Sequence, residues 1–120
     1  MRRALWVSVV YNSGAALLFA FPSSSLGRFS GLPSPVPPIY STLVALFVAL
    51  FAGMYGWLAM QPEIDRPMVA FGAIGKEAAF SCMLALWALG ELRALVVLAG
   101  TGDLILAAIF TWWLLSGRSS

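Results

Sequence analysis

Histidine is absent from this 120-residue chain, and cysteine occurs once, at Cys82. These are the usual ligands of zinc, haem iron and iron–sulfur clusters, so most routes to a transition-metal centre are closed. No metal ligand and no cofactor is assigned. A lone cysteine cannot close a disulfide within the chain. In its apolar stretch Cys82 reads as a small buried hydrophobe and not as a reactive thiol. Charge is scarce too: 10% of the residues, against about 25% in a soluble domain. The net charge of +2 comes from scattered groups without a basic run, which excludes a nucleic-acid partner.

What the chain has in quantity is apolar surface, 61% of its residues. Crossing the hydrocarbon of a bilayer takes about 20 helical residues, with a range of about 17–25. Four stretches qualify: 4–21, 39–60, 67–89 and 94–115. A backbone in lipid must satisfy its own hydrogen bonds, so each is expected to be a helix. The fold class that follows is all-α, a four-helix transmembrane bundle forming one domain over residues 1–120. The start, Met1-Arg2-Arg3 before an apolar run, imitates a secretory signal. No small-x-small cleavage site follows, so the run is read as a retained first span.

The punctuation agrees with these spans. Pro22 and the serines after it stop the first helix, and Pro38 can open the second, because a proline in the first turn loses no helical hydrogen bond. Asp65 is placed to N-cap the third helix, and Gly90-Glu91-Leu92-Arg93 makes a tight hairpin into the fourth. Between Ser23 and Leu32, the spacing of Leu26, Phe29 and Leu32 beside Arg28 fits a turn of helix on the membrane surface before an extended proline segment. A passive linker fits it equally well.

Orientation follows from the arginines near the span ends. With both termini in the cytoplasm, Arg2, Arg3, Arg66 and Arg118 lie inside, and Arg28 and Arg93 outside. Trp6, Trp57, Trp112 and Trp113 then fall near cytoplasmic span ends and Trp87 near the opposite ends, as an interfacial belt. In the second span Ala45, Ala49 and Gly53 recur every fourth residue, with Ala52 and Gly56 alongside. Small residues let helices approach closely, here within the bundle in preference to a dimer.

The chemistry concentrates in a polar layer. At about 1.5 Å per residue, Asn12 lies about 12 Å from the cytoplasmic end of its span, Lys76 and Glu77 about 14–15 Å, and Asp103 about 18 Å. All four meet the middle of a hydrocarbon layer about 30 Å thick. One ionised side chain there costs about 2.5–3.5 kcal/mol, whereas an apolar residue returns about 0.3–0.6 kcal/mol. The third span is therefore marginal alone, and the hairpin supplies its partner. The Lys76 ammonium can reach the Asp103 carboxylate across the helix pair. Glu77, turned about 100° from Lys76, is left without a cation and is expected to look toward Asn12 or Tyr11. Tyr11 and Tyr55 are secondary members of the layer. Gly100-Thr101-Gly102 would let a neighbour or ligand come close to Asp103.

Tyr11-Asn12 with Gly14, the Phe21-Pro22 exit, the proline-rich loop, Gly75-Lys76 and Gly102-Asp103 together resemble small four-helix bacterial membrane proteins of the DoxX-like kind. The resemblance implies the four-helix architecture and a bacterial inner-membrane location, and no particular activity. Glu77 has no counterpart in it.

Two functions fit these residues. The first is a non-catalytic membrane component, an accessory subunit or a member of an oligomer, whose polar layer locks the helices. The alternative is a carrier or binder of a small solute or lipid at the bilayer midplane, in which one acid of the layer exchanges a proton. An enzyme ranks third and no catalytic residue is assigned: only carboxyl acid–base chemistry would remain to it. The expected partners are the lipid bilayer and, as alternatives, a second copy or a larger membrane complex.

Overall fold

A computed structural model of the chain describes residues 1–29, 32 and 36–116. Five helices follow in order: α1 (Arg2–Ala20), α2 (Ser25–Phe29), α3 (Pro38–Ala59), α4 (Arg66–Ala88) and α5 (Ala94–Leu115). Four of them are long and apolar enough to cross a membrane. The longest dimension, 44 Å, matches a bilayer with its headgroup regions.

The helix ends are where local chemistry puts them. Pro38 and Pro67 occupy the first turns of α3 and α4, where an N–H would be unpaired in any case. The Asp65 carboxylate caps α4 by accepting a hydrogen bond from the Met68 N–H at 3.1 Å. Gly90 takes φ +79° in the α4–α5 hairpin, a left-handed conformation that glycine adopts without a Cβ clash. The helical turn expected between residues 23 and 32 is α2. Pro33, Pro35 and Arg118, used above for the extended segment and the orientation, lie outside the described residues.

The spans associate as two pairs, α1 with α3 and α4 with α5, and α1 also touches α5. The core joins the pairs at one end: Leu5 of α1, Leu58 and Ala59 of α3, Ile64 of the turn, Val69 of α4, and Phe110 and Trp113 of α5. Two arginines close this end. Arg2 donates to the carbonyls of Ala59 (2.7 Å) and Pro62 (3.1 Å) at the end of α3. Arg66 donates to the Leu114 carbonyl at the end of α5 and stacks 4.9 Å from the Trp113 ring centre. A cation at a helix C-terminus meets the unpaired carbonyls and the negative end of the dipole.

Toward the other end the packing thins. No residue of α1 after Asn12, and none of α4 after Lys76, is buried. Three expectations change here. Trp113 is 2% exposed and belongs to the core, not to the interfacial belt, because Arg66 lies over its ring. Trp6, Trp57, Trp87 and Trp112 are exposed. Cys82 is exposed as well, since it falls on the part of α4 beyond the core. The small-residue stripe of α3 divides: Ala45, Ala52 and Gly56 turn inward, while Ala49 and Gly53 face out.

Candidate functional site: a buried ion pair at the floor of an apolar cleft

Lys76 is the centre of the polar layer and is only 3% exposed. Its Nζ lies 3.2 Å from Asp103 Oδ1 and donates at 3.3 Å to Asn12 Oδ1. Two aromatic faces complete the cage: the ammonium sits 4.8 Å from the Tyr55 ring centre and 5.4 Å from that of Tyr11. Each such contact adds about 0.5–2 kcal/mol, the upper end applying where water is excluded. The cage therefore draws on all four spans, with Asn12 and Tyr11 from α1, Tyr55 from α3, Lys76 from α4 and Asp103 from α5.

Each ligand of the ammonium is held by the fold. The Asn12 Nδ2 donates to the Val48 carbonyl of α3 at 3.4 Å, which turns Oδ1 toward Lys76. The Tyr11 hydroxyl donates to the Ala99 carbonyl at 2.8 Å, and the Tyr55 hydroxyl lies 3.5 Å from the Gly72 carbonyl. Glycine makes both ring positions accessible. A Cβ on Gly102 would collide with Tyr11 Cε2, and one on Gly72 would stand 2.9 Å from Tyr55 Cε1. The close neighbour expected beside Asp103 is thus Tyr11, while Met83 lies over Gly100.

Glu77 does not join this layer. With Lys76 turned fully inward, the 100° step along the helix carries Glu77 to the outer side of α4, where it is exposed. The groups it was expected to meet are engaged elsewhere, Asn12 with Lys76 and Val48, and Tyr11 with Ala99. Among the described residues Glu77 makes no hydrogen bond or ion pair.

Above the ion pair the helices part. A cleft of about 380 Å³ runs between α1, α3 and α4. Phe19, Val44, Phe47, Phe51, Ala79 and Met83 wall it, and Asn12, Lys76 and Asp103 form its polar floor. A second cleft of about 300 Å³ lies between α1 and α5, with Val10, Gly14, Leu18 and Val96 among its walls and Leu32 of the connecting loop at its rim. Tyr11, Ala15, Phe19, Met83 and Asp103 border both. The Asp103 side chain, 15% exposed, is the part of the ion pair that the clefts reach most openly. Volumes of this order belong to the range of about 300–1,000 Å³ in which small-molecule sites fall.

Sequence depth alone brought Asn12, Lys76 and Asp103 to one level. The aromatic cage and the clefts had weaker signals, the glycines at 72 and 102 that admit the two tyrosine rings. Among the described residues there is no group of three or more His, Cys, Asp or Glu that could hold a metal ion. Comparison with protein-family models, with curated proteins and with solved structures gave no match.

Proposed function

We propose that this protein binds an uncharged amphiphile within the membrane, seating its apolar body in the clefts and a single hydroxyl or carbonyl on the Asp103–Lys76 floor. One observation carries this reading: the cleft walls are almost wholly apolar, and their polar floor is an ion pair of zero net charge. A charged headgroup would add an uncompensated charge where the dielectric is low. A neutral oxygen would accept from the remaining Lys76 N–H, or a hydroxyl would donate to Asp103, at no such cost. The setting that supports this role is a bacterial inner membrane with both termini cytoplasmic, on the distribution of the arginines and on the DoxX-like sequence resemblance.

A second reading rests on the completeness of the cage. Lys76 finds its anion, its amide and two ring faces within the chain, which suits a lock between helices in an accessory subunit. The two readings separate experimentally. Ala15 borders both clefts, so Ala15→Phe fills them without touching the ion pair. The protein and this variant are purified in mild detergent, and the bound lipid is extracted and identified by mass spectrometry. Retention of a neutral amphiphile by the parent and its loss from Ala15→Phe supports binding. Equal lipid in both, or none in the parent, refutes it and leaves the lock.

A further inference from the structure

The outer side of α4 carries two polar side chains, Glu77 and Ser81, that no other described residue engages. Glu77 stands eleven residues into α4, about 16 Å along the helix, and so near the bilayer centre. A charge facing lipid there costs about 2.5–3.5 kcal/mol. Ser81 follows one turn later on the same side, is exposed, and makes no hydrogen bond among the described residues. Around this pair the exposed side of α4 carries the small Ala78 and Ala85 beside two larger apolar residues, Ile74 and Leu84. The cleft lies on the other side of the helix, along Gly75, Ala79 and Met83.

We infer that α4 packs against α4 of a second copy of this chain, with Glu77 and Ser81 at the contact. A two-fold axis along the membrane normal sets the two helices parallel, so that equal residues meet at equal depth. A carboxyl accepts and a hydroxyl donates, so the Ser81 hydroxyl of each copy can serve the Glu77 carboxyl of the other. That is the self-complementarity an isologous contact requires. Ala78 and Ala85 allow the backbones to come close enough. Among the described residues no other group answers Glu77: the only cation at this level of the helices is Lys76, and it is buried. The inference does not depend on what occupies the clefts.

The test is disulfide cross-linking in native membranes. Ala85→Cys is placed in a Cys82→Ala background, with Leu46→Cys, on the exposed side of α3, as the reference position. A cross-linked dimer is expected at position 85 and not at 46. Adding Glu77→Gln, which keeps an acceptor at that position, should preserve it. Adding Glu77→Leu should lower the cross-linked fraction by about tenfold, from the loss of two interhelical hydrogen bonds. Because leucine on a lipid-facing position favours insertion, the variant still yields folded protein. Equal cross-linking at 85 and 46, or no effect of Glu77→Leu, overturns the inference. So does a complex, seen by native mass spectrometry, in which a different chain's basic residue meets Glu77 and no dimer forms.

Discussion

Removing only one partner of the buried ion pair should harm the protein more than removing both. At the observed 3.2 Å separation, two unit charges attract by about 5 kcal/mol at an effective dielectric of about 20. Part of that gain offsets the desolvation of the two groups. In Asp103→Leu the ammonium keeps Asn12 and the two tyrosine faces but loses its counter-charge in a site only 3% exposed. Breaking a buried pair in this way costs about 3–5 kcal/mol. Lys76→Met leaves the Asp103 carboxylate, whose 15% exposure through the cleft lets it recover some solvation, so its cost should fall below that of Asp103→Leu. The double variant Lys76→Met/Asp103→Leu removes both charges and fills their space with apolar groups. It should lie within about 1–2 kcal/mol of the parent, since apolar replacement of a buried pair is often neutral or stabilising. The assay is reversible unfolding in mixed micelles, read from helical circular dichroism across a denaturing-detergent titration. Additive losses in the two single variants, with the double variant the least stable of the four, would refute the coupling.

The same double variant also divides the two functions. It should fold and lose its bound amphiphile if the ion pair is the floor of the site, and fold with the same lipid content as the parent if the pair is only a lock. Gly102→Ala places a methyl group against Tyr11, and overpacking of this kind should lower stability by about 1–3 kcal/mol in the same titration. Gly53→Ala, where no atom lies within reach of a new Cβ, is its control and should be neutral or slightly stabilising. Brominated lipids should quench single-tryptophan variants that retain Trp6, Trp57 or Trp112, whereas one retaining only Trp113 should be shielded, because that ring is 2% exposed beneath Arg66. Equal quenching of Trp113 and Trp112 would contradict the packing of α5.

Much of the architecture was legible because it depends on quantities that a linear chain displays. Span length and apolar content locate helices wherever lipid forbids an unpaired backbone, and the observed spans begin and end within about two residues of those expected, the usual scatter of helix ends. Pro38, Asp65 and Gly90 act through their own backbone geometry, so their roles were readable from local context. The pairing of Lys76 with Asp103 was readable for a related reason. A hairpin as tight as 90–93 forces the two helices to be antiparallel neighbours, and depth then sets which residues stand level. Arg2 and Arg66 were legible as topology signals but not as caps, since the carbonyls they meet are 57 and 48 residues away in the chain.

Residue order alone settles how many long apolar helices form, where they end and how far along its helix each polar group stands, because helix rise and hydropathy are local properties. The direction each group faces depends on how the helices pack. A helix carries a fixed angle between Lys76 and Glu77 but no absolute rotation until neighbours choose its buried side. Here α1, with Asn12 and Tyr11, and α5, with Asp103, draw Lys76 inward, and that choice turns Glu77 outward. The clefts have the same origin. They exist because α1–α3 and α4–α5 pack tightly as pairs and the pairs are joined mainly at one end, a relation between surfaces that no stretch of one helix contains.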